Sequence, residues 1–135
     1  MKSLLQGTAI VATLLLCGLT LSFPTTFAAN DRSIYVSLIQ LIADPTAFDQ
    51  KQILVEGYAI LEFEGKLLFL NELDARHGIM RSSIWLDVSD AVYAKRAQFH
   101  KRYVRVEGTF NAGRRGHGGL SSGEISNITR FEVKG

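Results

Sequence analysis

The sequence predicts a mainly β protein, a small five-stranded Greek-key barrel with two helices. Two long segments, 52–63 and 102–110, alternate apolar and polar residues, which is the period of a strand buried on one face. Each contains a Val-Glu-Gly triplet whose glycine, Gly57 or Gly108, falls on the apolar face, where a tightly coiled sheet leaves little room for a side chain. A shorter alternating segment, 83–88, supplies a further strand. We therefore expect the strands to close around one core.

The chain has 135 residues and begins with a segment that we expect to be removed. Met1-Lys2 precedes an uncharged apolar run, 8–21, and small residues surround Ala28, which is the pattern of a secretory signal peptide. The run is shorter than the ~18–20 residues that span a bilayer, although an N-terminal membrane anchor is the alternative. We predict a signal peptide at 1–29 and one exported domain at 30–135, periplasmic or secreted, with no further membrane span.

Cys17 is the only cysteine and lies inside this leader. The segment 14–18 resembles the lipobox of bacterial lipoproteins, but Leu16 stands where that pattern has a small residue. Loss of Cys17 with the leader is the simpler interpretation, and a lipid anchor at Cys17 is the alternative. Without Cys17 the mature chain has no disulfide, so its stability has to come from packing.

The formal net charge is +2, and its distribution is uneven. Residues 31–90 hold ten acidic and five basic side chains, whereas the chain after Asp90 holds nine basic and three acidic ones. A dipolar surface explains so small an imbalance, and a nucleic-acid-binding protein is the alternative.

The first element of the mature chain is predicted to be a helix. Apolar residues recur at helical spacing from Ile34 to Ile42, and Ser33 precedes them as a candidate N-cap. Pro45 ends the helix, because the residue before a proline avoids helical geometry.

A long hairpin, 52–70, follows. One face of its first strand is expected to be buried and carries Ile53, Val55, Ala59, Leu61 and Phe63. The outer face carries Glu56, Tyr58, Glu62 and Glu64. Glu64-Gly65 is predicted to be the two-residue loop, since glycine accepts the positive φ that such turns need.

The remaining elements are predicted from the same signals. They are, in order, a polar loop 71–82, a strand 83–88, a helix 90–99 capped by Ser89, a strand 102–110, a glycine-rich loop 112–123 and a last strand 124–133. In the last strand the core candidates Ile125, Ile128 and Phe131 are three residues apart, which indicates a β-bulge.

This order is the plan of the oligonucleotide/oligosaccharide-binding (OB) fold, with a short helix between the third and fourth strands. The segments 36–45, 55–57, 84–86 and 106–110 resemble a family of small, largely uncharacterised bacterial proteins and, more loosely, exported bacterial OB-fold proteins. The resemblance implies the fold and the exported location. It brings no activity and no catalytic residue with it.

The outer face of the strands is the first candidate site. Tyr58, Trp85, Tyr103 and Arg105 are predicted to share it, and Arg114 and Arg115 would border it from the glycine-rich loop. Rings stack on sugars, bases or peptides, and guanidinium groups add charge-assisted hydrogen bonds. We expect a non-catalytic exported binding module whose ligand is an envelope glycan, a small anion or a partner protein. Packing of the rings beneath a helix is the alternative.

The second candidate site contains histidines. His77 and Asp74 follow the second strand of the barrel, and His117 follows the fourth. These strands run in the same direction in an OB barrel, so both loops leave at one end. Two imidazoles and a carboxylate suit a zinc-type site with an open position, which would make the protein a metal carrier or a metal-dependent enzyme. Unrelated loop histidines, with no cofactor, are the alternative.

Overall fold

The structure is a computed structural model that describes residues 32–135, so the predicted leader and Cys17 lie outside the described residues. The strands in this part of the chain are β1 (Ile34–Tyr35), β2 (Gln52–Leu61), β3 (Lys66–Phe69), β4 (Ser83–Leu86), β5 (Arg102–Asn111) and β6 (Glu124–Val133). The helices are α1 (Leu38–Ala43), α2 (Glu72–Arg76) and α3 (Asp90–Ala94). Short 3₁₀ turns lie at Pro45–Phe48, Met80–Ser82, Arg96–Gln98 and His117–Gly119.

Strands β2 to β6 close into a barrel, which confirms the predicted OB-like fold. The strand order is β2-β3-β4-β6-β5, and β2 pairs with β5 to complete the ring. All pairs are antiparallel except β4–β6, which is parallel. This order, with α3 between β4 and β5, is the OB plan. Strand β1 adds to the start of β2 in parallel.

The barrel interior forms one apolar cluster that also takes in side chains of α1, Leu38 and Leu41. Both Val-Glu-Gly glycines lie where the sequence predicts close packing. A Cβ on Gly57 would lie 2.7 Å from the carbonyl oxygen of Phe69, and one on Gly108 would lie 2.7 Å from the carbonyl oxygen of Ser126. These distances are shorter than any normal carbon–oxygen contact, so only glycine fits.

The predicted start of the first helix is wrong. Ile34 and Tyr35 form a strand, and the helix begins at Leu38 rather than after Ser33. Its N-cap is Ser37, whose hydroxyl accepts from the backbone N–H of Gln40, while the Gln40 side chain accepts from the backbone N–H of Ser37. This capping box satisfies two free donors and fixes the helix start at Leu38, four residues after Ile34.

The predicted hairpin forms, but its loop is displaced. Glu62 and Gly65 exchange backbone hydrogen bonds of 3.0 and 3.4 Å, so the two-residue loop is 63–64. Phe63 is consequently outside the strand and 82% exposed, not in the core. Gly65 does not have a positive φ, so the conformational argument for placing it in the loop does not apply.

The predicted loop 71–82 contains α2 and a 3₁₀ turn. Asn71 caps α2 by accepting from the backbone N–H of Asp74 at 2.8 Å. The predicted bulge in the last strand is present: Glu107 pairs with Arg130, but Thr109 pairs with Ser126, which leaves extra residues on β6. Within the described part of the chain, no helix is long and apolar enough to cross a membrane.

Candidate ligand-binding groove

Where β2 pairs with β3, the outer surface of the hairpin is apolar, like its inner surface. Tyr58 pairs with Phe69, and Ile60 pairs with Leu67, all on the side opposite the barrel core. Tyr58, Leu67 and Phe69 form a second buried cluster. Ile60, Ala75, Met80 and Trp85 pack against it. A second apolar layer therefore lies between the barrel wall and the segment that carries α2.

A groove of about 510 Å³ opens beside this layer. Its lining combines apolar side chains of the hairpin with side chains of α2 and of the loop before β5; the residues are Tyr58, Ile60, Glu62, Gly65, Leu67, Phe69, Glu72, Ala75, Arg76, Gly78, Met80 and Lys101. Within the lining, Arg76 and Glu72 form an ion pair of 2.9 Å one turn apart on α2. The groove thus has apolar side chains from two strands and charged side chains of both signs.

Tyr58 links the groove to the rest of the outer face. Its ring is 8% exposed and meets Tyr103 edge-on, with centroids 5.3 Å apart. Burial raises the pKa of the Tyr58 hydroxyl, and the nearby Glu72 carboxylate raises it further. The phenol therefore stays neutral near pH 7 and offers a hydroxyl within a mostly apolar lining.

Arg105 belongs to an ionic network. Its guanidinium contacts Glu56 at 2.8 Å and Glu132 at 3.5 Å, and Lys134 also contacts Glu56. The hydrogen bonds from Lys134 and then Arg105 lower the pKa of Glu56. The structure therefore brings Tyr103 against Tyr58, packs Trp85 against the second buried cluster, and holds Arg105 between two carboxylates.

This network gives a pH dependence with a definite sign. A carboxyl whose pKa is lower in the folded than in the unfolded state adds stability above its ordinary pKa of 4.5 and loses it as the pH falls through the folded value. We expect the free energy of unfolding to drop on acidification below pH 4.5, with a shallower drop in Glu56→Gln. Urea titrations between pH 3 and pH 7 measure this, and Glu64→Gln in the exposed hairpin loop is the matched control. An equal slope in both variants would contradict the assignment.

The glycine-rich loop between β5 and β6 packs against the outer face at Trp85. A Cβ on Gly116 would lie 2.2 Å from the Trp85 ring, so the backbone at Gly116 rests directly on the indole. Arg114 places its Nε 3.0 Å from Oε1 of Glu124, and Arg115 is exposed. The backbone carbonyl of Arg115 accepts a hydrogen bond from Ser121 at 2.7 Å. Of the two predicted arginines, only Arg114 contacts a carboxylate within residues 32–135, that of Glu124 at the start of β6.

The predicted metal residues lie on two segments. Asp74 lies within α2, exposed His77 follows its last residue, and exposed His117 begins the 3₁₀ turn of the glycine-rich loop. Among residues 32–135, no three His, Cys, Asp or Glu side chains are grouped so that they could hold a metal ion. The structure therefore does not gather His77, His117 and Asp74 into one ligand set. The third histidine, His100, makes a hydrogen bond within the fold: its Nδ1 accepts from the backbone N–H of Leu61 at 3.1 Å.

The sequence argument missed most of the groove. It placed no apolar residue but Tyr58 on the outer face of the hairpin, whereas Ile60, Leu67 and Phe69 lie there too. The sequence did contain a signal for this second apolar face: the unbroken apolar run 67–70 is typical of a strand buried on both faces. Ala75 and Met80 were missed because neither α2 nor the 3₁₀ turn that follows it was predicted.

Comparison of the chain with models of protein families, with curated proteins and with solved structures finds no match.

Proposed function

We propose that the protein is an exported, non-catalytic binding module of OB type whose ligand inserts an apolar group into the groove beside the β2–β3 hairpin. The observation that carries this proposal is the composition of the lining: Tyr58, Ile60, Leu67 and Phe69 face outward from a barrel wall whose inner side is already filled. Ligand sites are typically concave and lined mainly by apolar side chains, with a few polar groups among them, and the lining of this groove has that composition.

The position of the groove supports the same function. OB folds bind their ligands on the outer face centred on the second and third barrel strands, which are β3 and β4 here. Leu67 of β3 pairs with Trp85 of β4 on that face. A ligand in the groove would therefore lie where OB domains present their binding surface.

The lining favours some of the expected ligand classes over others. The sugar face of an envelope glycan, or an apolar side chain of a partner protein, can stack on Tyr58 and pack on Leu67. A small anion would depend on Lys101, because Arg76, the other basic residue of the lining, is paired with Glu72. We therefore propose a ligand with an apolar face.

Filling the groove tests the proposal. Ala75→Phe adds a ring from α2 into the lining, and we expect it to weaken binding of the uncharged dye Nile red at least about tenfold, the equivalent of ~1.4 kcal/mol. The measurement is a fluorescence titration of the folded protein, with circular dichroism to show that the fold is intact. Ala47→Phe, at an exposed position in the 3₁₀ turn before β2, is the matched control. Equal dye affinity in both variants would overturn the groove as the binding site.

A further inference from the structure

The outer face does not end at the groove. Trp85 packs against the second buried cluster, formed by Tyr58, Leu67 and Phe69. On its other side, Trp85 pairs in register with Glu124 at the start of β6. Ile125 points into the barrel core, so the neighbouring Glu124 lies on the outer face, the same face as Trp85. Trp85 and then Glu124 therefore follow the second buried cluster across the outer face.

Glu124 is an unusual residue for a barrel wall. Its side chain is only 6% exposed, and burial raises its pKa against the opposing effect of Arg114. Within residues 32–135, its buried Oε1 has no partner that meets the geometry of a hydrogen bond, although Arg114 Nε is 3.0 Å away. Arg114 itself remains 63% exposed. The ion pair is therefore close in distance but leaves a buried oxygen unsatisfied, which is costly in a protein interior.

Within residues 32–135, two charged groups act on this carboxylate. Arg114 faces it from the glycine-rich loop, and Asp87, beyond the end of β4, adds a second negative charge and raises its pKa. Its register partners on the two neighbouring strands, Trp85 and Asn111, carry no charge. Apart from Arg114, the surroundings therefore favour the approach of a cation.

The loop that brings Arg114 is fixed at its two ends. Before the tip, the backbone N–H of Ala112 donates to Asp49 at 2.8 Å. After the tip, Ser122 donates from its backbone to Ser83 at 2.8 Å and from its hydroxyl to Arg81 at 2.6 Å. The tip between them touches the outer face through Gly116 on Trp85 and through Arg114.

We propose that Trp85 and Glu124 form a cation subsite that extends the groove, and that Arg114 occupies it in the free protein. The ligand then has an apolar body and an ammonium or guanidinium group. The apolar body lies on Tyr58 and Leu67, and the cation displaces Arg114, donates to Glu124 and lies beside the indole ring. The Glu124 carboxylate attracts the cation, and the indole supplies an apolar wall beside it, since Gly116 already lies against the ring. This inference rests on the proposed function of the groove.

A pair of probes with one apolar body and opposite charges tests the subsite. Phenethylammonium and phenylacetate differ mainly in the sign of the charged group. Trp85 is the only tryptophan, so its fluorescence reports binding directly. We expect the cation to bind at least about tenfold more tightly than the anion, a ratio that corresponds to ~1.4 kcal/mol. Arg114→Ala should tighten binding of the cation several-fold, because it removes the competing guanidinium.

Two variants complete the test. Glu124→Gln should abolish the preference for the cation, and Arg115→Ala, in the same loop, should change neither affinity. Equal affinity for both probes in the wild type, or no tightening in Arg114→Ala, would overturn the subsite. Circular dichroism checks each fold; if Glu124→Gln does not fold, Asp87→Asn replaces it and should reduce the preference. Nile red binding separates the hypotheses: if it persists without a cation preference, only the subsite fails, and if it is absent, the groove fails as well.

Discussion

Replacing Gly57 with alanine is expected to prevent the domain from folding, or to leave it only marginally stable. The added Cβ would lie 2.7 Å from the Phe69 carbonyl oxygen, 2.7 Å from Cδ1 of Leu38 and 2.8 Å from Cγ of Leu68. Side chains can move, but the carbonyl is part of β3. Strands β2 and β3 would have to separate, so we expect a loss of at least about 3 kcal/mol.

The hairpin provides its own control for this experiment. Gly65 has no positive φ, and no atom of residues 32–135 lies within 4 Å of an added Cβ. Gly65→Ala should therefore change the free energy of unfolding by no more than ~0.5 kcal/mol. Urea denaturation followed by circular dichroism gives both values. A Gly57→Ala protein as stable as Gly65→Ala would show that the contact of α1 and β3 with β2 is looser than described.

Phe110→Ala is expected to have the second large effect. Phe110 is completely buried and is among the largest side chains in the core. The Phe110 ring also leaves no room for a side chain at Gly123, where a Cβ would lie 2.6 Å from the ring. The segment just before β6 is therefore packed closely against Phe110. Removal of a buried ring costs roughly 3–5 kcal/mol, because the surroundings collapse only in part. We expect the Tm to fall by more than about 10 °C.

The control for Phe110 uses the same residue type at the surface. Phe63 is 82% exposed in the hairpin loop, so Phe63→Ala should leave the Tm within about 2 °C of the wild type. Differential scanning calorimetry measures both variants. A small effect of Phe110→Ala would contradict the position of β5 in the barrel, since the ring could not then be a central part of the core.

The strands of the barrel could be predicted because each has a local signal. Strands β2 and β5 repeat apolar residues at a period of two over ten residues, and their mid-strand glycines indicate close packing. The bulge in β6 was visible in the spacing of Ile125 and Ile128. Such patterns arise because one face of a strand meets the core, whatever the rest of the chain does.

The helices were less predictable for physical reasons. Helix α2 has five residues, which is too short for an apolar period to show, and its only clear signal is the cap at Asn71. Ile34 and Tyr35 fit a helical spacing, but they pair with β2 instead. Pairing with a distant strand leaves no mark in the local sequence.

Part of the groove had a signal in the sequence, the apolar run 67–70, but its position beside α2 had none. The outer face of β2 was expected to be polar because Glu56 and Glu62 lie on it, yet Ile60 lies between them, and α2 covers part of the surface. Arg105 was predicted to contact a ligand because its partner was unknown. The β2–β5 register places it opposite Glu56, and a register between strands so far apart in the chain cannot be deduced from one sequence.

The parallel contact between β4 and β6 is the weakest part of the ring. Only two residue pairs join these strands, whereas eight pairs join β2 to β5. Local opening of a native protein begins where few hydrogen bonds have to break, so fluctuations should part the ring at β4–β6 well before the remaining strands separate. The backbone amides of Trp85 and Asp87, which donate across this junction, would then exchange with solvent faster than those of β2. We therefore expect the barrel to open first between β4 and β6.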